Sequence, residues 1–129
     1  MTFRNLAKAR DHYAQLELAS RLDSAGPHAL VGILYEELMR SLDVLIAANA
    51  RGRPLGNELH TARAMSILIA LGGSLDLDSG GDVARSLDNV YRAMNAQMRR
   101  IVQTEDGARL ASLRNDVAMI ASAWAQVGG

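Results

Sequence analysis

Four apolar stripes at helical spacing, each closed by glycine, proline or a polar break, constrain this 129-residue chain more than any other feature. From Pro27, the positions Val31, Tyr35, Leu38, Leu42, Leu45 and Ala48 recur at intervals of four and three, with Leu30 and Leu34 widening the face. Arg51, Gly52, Arg53 and Pro54 then read as a turn. Leu55, Leu59, Ala62, Met65 and Ile69 outline a second helix closed by Gly72 and Gly73, and Val83, Leu87, Val90, Met94, Met98 and Ile101 a third that ends near Thr104 to Gly107. The fourth runs through Leu110, Leu113, Val117, Ile120, Trp124 and Val127. Side chains three and four apart share a helix face, so each stripe is one side of an amphipathic helix. Pro27 suits a first helical position, where its missing N–H costs nothing. Ser79 or Asp82 is expected to cap the third helix.

Four such helices on short connections prefer antiparallel neighbours. The predicted fold is all-α, an antiparallel up-down four-helix bundle over residues 27–129, with an additional N-terminal helical arm or cap over 1–26, one domain overall. In the arm, Phe3, Leu6 and Tyr13 share a face into which Arg10 intrudes, and Asp23 to Gly26 separates it from the bundle. Composition agrees with helices. Hydrophobic residues make up 49% of the chain but aromatics only 4%, so the core must come from aliphatic residues and the six methionines, which favours packed helices over a sheet sandwich.

Charge and residue types exclude several classes of function. Fourteen basic and fourteen acidic residues cancel, leaving no electrostatic footprint for nucleic acid or an anionic membrane. Cysteine is absent, which removes disulfides and thiolate metal sites and fits a reducing compartment. No apolar run approaches the roughly 20 residues that span a bilayer, and the first residues, MTFRNLAKARDHY, lack the apolar centre of a signal peptide. A cytoplasmic protein with no membrane insertion is expected.

Candidate chemistry is sparse. His12, His28 and His60 are isolated, without a Glu-x-x-His pair or an HExxH motif, so no metal or cofactor is expected. Glu36 with Glu37 and Asp76 with Asp78 have no nucleophile or phosphate loop beside them and read as solvated charge, leaving no catalytic residue. Gly72-Gly73 and Gly80-Gly81 lack the company of a phosphate cradle and read as helix ends and loop. His28 is expected to be solvated at a helix start. A signalling bundle phosphorylated on His28 or His60 is a rival reading, although no histidine sits mid-helix in a basic, small-residue setting. The second helix carries surplus apolar surface, with Met65, Ile67, Leu68, Ile69 and Leu71 nearly consecutive. Either that surplus forms a partner groove, for which methionine is well suited, or this helix is the most buried of the four. Tyr35, Tyr91 and Trp124 should anchor a core so poor in aromatics.

An ordered set of residues resembles the flagellin export chaperones of the FliS family. Tyr13 precedes Pro27 and His28, which open a helix carrying Leu30, Leu34 and Tyr35; Leu75 and Asp76 are followed by Gly80 and Gly81; Leu87, Tyr91, Met94 and Trp124 complete the order. Departures are Gly26 where the family usually has Ser or Thr, Glu36-Glu37 for a typical Asp-Gly, and Leu68-Ile69 where polar residues are common. The resemblance implies a small antiparallel bundle that is no enzyme. It implies binding of the C-terminal segment of flagellin, prevention of premature polymerisation in the cytoplasm, and delivery to the flagellar type III export apparatus, with an export-gate component as a further partner. A helical adaptor for another secreted substrate is the alternative. Under this reading Tyr13 anchors an arm that covers the groove until flagellin displaces it, and Met65, Leu68 and Leu71 line that groove. Pro27, Leu34, Tyr35, Gly80, Gly81, Tyr91 and Trp124 match the family as structural positions.

Overall fold

The computed structural model describes residues 12, 13, 15–20, 26–56 and 58–127, and every regular element among them is helical. Residues 12, 13 and 15–20 belong to α1. It is followed by α2 (Pro27–Ala50), α3 (Leu59–Gly73), α4 (Gly81–Thr104) and α5 (Arg109–Gln126). Phe3, Leu6 and Arg10 of the expected arm face, and Asp23 of the break behind it, lie outside the described residues.

Local chemistry explains the boundaries. Pro27 occupies the first turn of α2, and the Gly26 carbonyl accepts the Leu30 N–H at 2.8 Å, with no side chain capping this end. Gly52, at φ +73°, turns the chain after α2. Helix α3 starts at Leu59 rather than at Leu55 as the stripe suggested. Leu55 is buried in the connection because both of its backbone groups are used there: its N–H donates to Glu105 Oε2 at 3.2 Å and its carbonyl accepts the Thr61 hydroxyl at 2.6 Å.

Neither Ser79 nor Asp82 caps α4, whose N-cap is Gly80 with no side-chain bond. Asp76 instead organises the turn before it, its Oδ1 accepting the N–H groups of Asp78 and Ser79 at 3.2 and 3.1 Å while Oδ2 accepts the Ser79 hydroxyl. Those bonds, led by the Ser79 hydroxyl, hold the exposed Asp76 carboxyl below the ordinary aspartate range. Both glycines here are conformational requirements. A Cβ on Gly80 would lie 2.5 Å from the Asp76 carbonyl oxygen, and Gly81 sits at φ +60°, a region L-residues enter at a cost. Gly81→Ala is therefore expected to remove about 1 kcal/mol of stability. In a urea melt the midpoint should fall with the slope unchanged; an unaltered midpoint would contradict the strain.

Cross-helix pairs fix the topology. His28 meets Trp124 while Asp43 meets Arg114, so α2 and α5 run in opposite directions. Gly56 lies near Val102 and Gly72 near Asp88, which sets α3 antiparallel to α4. The helices therefore alternate up and down. Helix α2 is the hub: it packs along both α3 and α5, α3 packs along α4, and α4 and α5 pack least against each other. Leu38, Leu42, Leu45, Leu68, Leu71, Met98, Ile101, Leu110, Leu113 and Val117 are almost wholly buried in one core with Tyr35 and Tyr91.

Three stripes need correction. On α3, Leu59, Ala62 and Ile69 face outward, with Leu59 60% and Ile69 67% exposed, while Thr61, Ala64, Ile67, Leu68 and Leu71 are buried and Met65 packs half-buried against the core. The helix is apolar almost all round, so periodicity alone admits either phase. Val83 and Val127 are also exposed, because the third and fourth stripes run past the core at the end of the bundle where α2 begins.

Candidate functional site

Three surface depressions bring together the side chains that sequence singled out. At the end where α2 begins, the rings of His28 and Trp124 stack with centroids 4.7 Å apart and planes 16° apart. Trp124 Nε1 donates to the His28 carbonyl at 2.9 Å, and Tyr35 meets the indole edge-on at 6.4 Å. His28 is thus half-buried under an aromatic ring rather than solvated, and Trp124 is half-buried rather than central. Beside the stack lies an open depression of about 470 Å³ between α2 and α5, walled by Ala29, Gly32, Met39, Ala118 and Ala121. Deeper in the bundle the hydroxyls of Tyr35 and Tyr91 hydrogen-bond to each other. Burial raises the pKa of both phenols above the ordinary tyrosine range.

The second depression, about 320 Å³, lies where α1 meets the α2–α3 surface: Gln15 and Leu18 face Leu34, Glu37, Val44, His60 and Ile67. Leu18 is half-buried there, whereas Tyr13 is 72% exposed and is not among the residues lining the depression. Glu37 is buried here, beside Arg40 at 3.3 Å, and His60 Nδ1 is 3.3 Å from the buried Ser41 hydroxyl.

The third depression, about 390 Å³, opens between α3 and α4. Ile69 and Leu77 stand exposed at its rim, Gly72 and Gly73 give it a wall without side chains, and Tyr91 and Asn95 reach it from α4. Asp88 and Arg92 pair at 3.0 Å on its edge.

The nominated groove residues are thus split. Met65 is half-buried against the core, whereas Leu68 and Leu71 are 2% and 0% exposed and belong to the core, Leu68 also reaching the floor of the α3–α4 depression. The outward apolar residues of α3 are Leu59 and Ile69. Leu18, Val44 and Asn95 were missed: the first two fall off the stripes, and a single Asn between Met94 and Met98 carries no periodic signal. Among the described residues no three His, Asp or Glu side chains group as metal ligands, and no helix is long and apolar enough to cross a membrane.

Among the described residues the surface offers apolar hollows with hydrogen-bonding groups at their edges. The family profile described as Flagellar protein FliS matches residues 9–129. The chain belongs to the FliS family. Among FliS relatives, the flagellar secretion chaperone FliS of Vibrio cholerae is 30% identical over 116 residues, covering 89% of this chain and 85% of that protein. The flagellar secretion chaperone FliSB of Pseudomonas aeruginosa is 25% identical over 117 residues, covering 91% and 93%. FliS of Salmonella typhimurium is 27% identical over 119 residues, covering 89% and 86%. Pro27, Tyr35, Gly80, Gly81 and Tyr91, the positions that suggested FliS, occupy a helix start, the buried phenol pair and the constrained turn before α4.

Proposed function

We propose that this chain is a cytoplasmic export chaperone that binds the C-terminal segment of flagellin stoichiometrically, keeps it from polymerising prematurely, and hands it to the flagellar type III export apparatus through contact with an export-gate component. The observation that carries the reading is the FliS match across residues 9–129. The exposed apolar residues Leu59 and Ile69 of α3 support it, since apolar surface left to solvent beside polar groups is a usual seat of a partner. The protein acts by binding, with no catalytic step.

In this reading residues 1–26 are a cover over a bundle of 27–129. Helix α1 keeps Leu18 in the α2–α3 depression until the partner takes its place. Tyr13 and Met65, which have accessible surface, meet the partner directly, while Leu68 and Leu71 support the α3 wall from beneath.

Calorimetric titration of the full chain with the flagellin C-terminal segment from the same organism, beside a scrambled control, tests this. One-to-one saturable binding with a negative heat-capacity change is expected, because apolar surface is buried. Neither heat nor co-elution at micromolar concentrations would remove flagellin as the partner and leave an adaptor for another secreted substrate. Hydrogen exchange on the same samples should show residues 15–20 losing protection in the complex; unchanged protection would contradict a displaced cover.

A further inference from the structure

We propose that the end of the bundle where α2 and α4 finish is a docking surface for an acidic polypeptide segment, with Arg51, Arg53, Arg99 and Arg100 as the groups that hold its carboxylates. This goes beyond the cargo reading. None of the four arginines lines the three apolar depressions, so the surface serves a second partner and its test needs no flagellin.

The chain is neutral as a whole, so the field around it comes from where charges are left unpaired. The described residues carry arginine and no lysine. Along the helices these arginines pair with carboxylates: Arg40 with Glu37, Arg85 with Asp82, Arg92 with Asp88 and Arg114 with Asp43. Arg51, Arg53, Arg99 and Arg100 break that pattern, since all four are exposed and none has an ion pair among the described residues. Arg63 also lacks one, but it is half-buried and belongs to the α1-covered depression. Two interlocked connections bring the four to one end. The Leu55 N–H bonds to Glu105, Gly56 faces Val102, and the Asn49 side chain lies against Gly107, which fastens the turn carrying Arg51 and Arg53 to the end of α4. Arg53 and Glu105 wall the same open depression of about 380 Å³. Arg99 stands one turn before Val102 on the side of α4 nearest Gly56, and Arg100 one turn before Thr104, whose hydroxyl donates to the Arg100 carbonyl.

Like charges gathered in this way repel one another, and the carboxylates of the same end do not relieve them. Glu105 is bonded to the Leu55 N–H, Asp106 pairs with Arg109 at 3.1 Å, and Glu58 is half-buried at the start of α3. Carboxylates from outside would do so, and a guanidinium fork takes a carboxylate with two parallel bonds. The neighbouring acids narrow the choice of anion. With Glu58, Glu105 and Asp106 among the arginines, a continuous phosphate backbone or a flat anionic bilayer meets repulsion between its attractions. A polypeptide can space its Asp and Glu side chains to face the arginines and set neutral residues against the acids.

The test is fluorescence anisotropy of a labelled oligoglutamate peptide with the full-length chain at low salt, beside labelled oligothymidylate and sedimentation with mixed phosphatidylcholine–phosphatidylserine vesicles. Three double variants are compared with wild type: Arg51→Gln with Arg53→Gln, Arg99→Gln with Arg100→Gln, and, as a control with the same change in net charge away from this end, Arg85→Gln with Arg92→Gln. Wild type should bind the peptide saturably and less tightly as salt rises, because exposed charges are screened. Each of the first two variants should lose about tenfold in affinity with its melting temperature unchanged, while the control binds as wild type does. A wild type that does not bind the peptide overturns the proposal. An equal loss in the control overturns it too, since the attraction would then follow bulk charge. Oligothymidylate or vesicles binding as tightly as the peptide would make the surface a phosphate site and overturn the acidic polypeptide as its occupant. The arginines also stand near the C-terminal ends of α2 and α4, where a cation complements the helix dipole. A lowered melting temperature with peptide affinity retained would assign them to that role alone and overturn the docking surface.

Discussion

Trp124→Ala is expected to lower stability by roughly 2 to 3 kcal/mol, less than the roughly 3 to 5 kcal/mol of a fully enclosed aromatic. The indole is half-buried, so truncation exposes less apolar surface and leaves a hollow already open to solvent. What it does lose is specific: the stack on His28, the edge contact with Tyr35 and the bond from Nε1 to the His28 carbonyl. These contacts pin the end of α5 to the start of α2. Trp124→Phe separates the contributions, since a ring remains while the N–H is gone, and it should cost about 1 kcal/mol. Urea melts of the two variants measure both effects. A loss below about 1 kcal/mol for the alanine variant would make the stack a surface ornament.

The second large effect concerns the buried phenols. Tyr91→Phe should cost about 1 to 3 kcal/mol, because it leaves the Tyr35 hydroxyl buried without its partner, and Tyr35→Phe should cost a similar amount for the mirror reason. The double Phe variant should recover most of that loss, since an apolar pair of the same shape leaves no group unsatisfied. Additive losses in the double variant would mean that the hydroxyls act independently. The same pair gives a pH dependence with a definite sign. Burial raises both phenol pKa values, so the folded chain holds these protons after an unfolded tyrosine has released them. Their contribution is complete below about pH 10 and is lost as pH rises above it, and the Phe/Phe variant should resist alkaline unfolding better.

Helix number, order and most boundaries were legible because Pro27, Gly52 and the Gly80-Gly81 pair punctuate stripes of the right period. Phase was legible only where one face was polar. Helix α4 alternates strongly, so Tyr91, Met94, Met98 and Ile101 could be read as core, whereas α3 has apolar residues on nearly every side and its stripe mixed the exposed Leu59 and Ile69 with Met65, which packs inward. Leu55 misled for a related reason: a loop residue whose backbone groups are met by Glu105 and Thr61 can be as buried as any helical one. The outward apolar surface of α3 was only half legible. A surplus of apolar residues on α3 was visible in the order of residues, but which of them point outward is decided by α2 and α4 packing around it. Asn95 shows no signal in one dimension, since its burial depends on neighbours 22 or more positions away such as Gly73 and Ile69.

The weak contact between α4 and α5 gives the bundle one compliant edge. Three seams, α2–α3, α2–α5 and α3–α4, hold the helices in a row that nearly closes on itself, and the fourth is left lightly stitched. Small spreading motions there disturb few apolar contacts, so they belong to the cheap end of the molecule's fluctuations. The Tyr35–Tyr91 bond crosses from the hub to α4 and limits how far that edge can part. Such a scaffold can breathe along one side, while the hub helix keeps its own neighbours throughout.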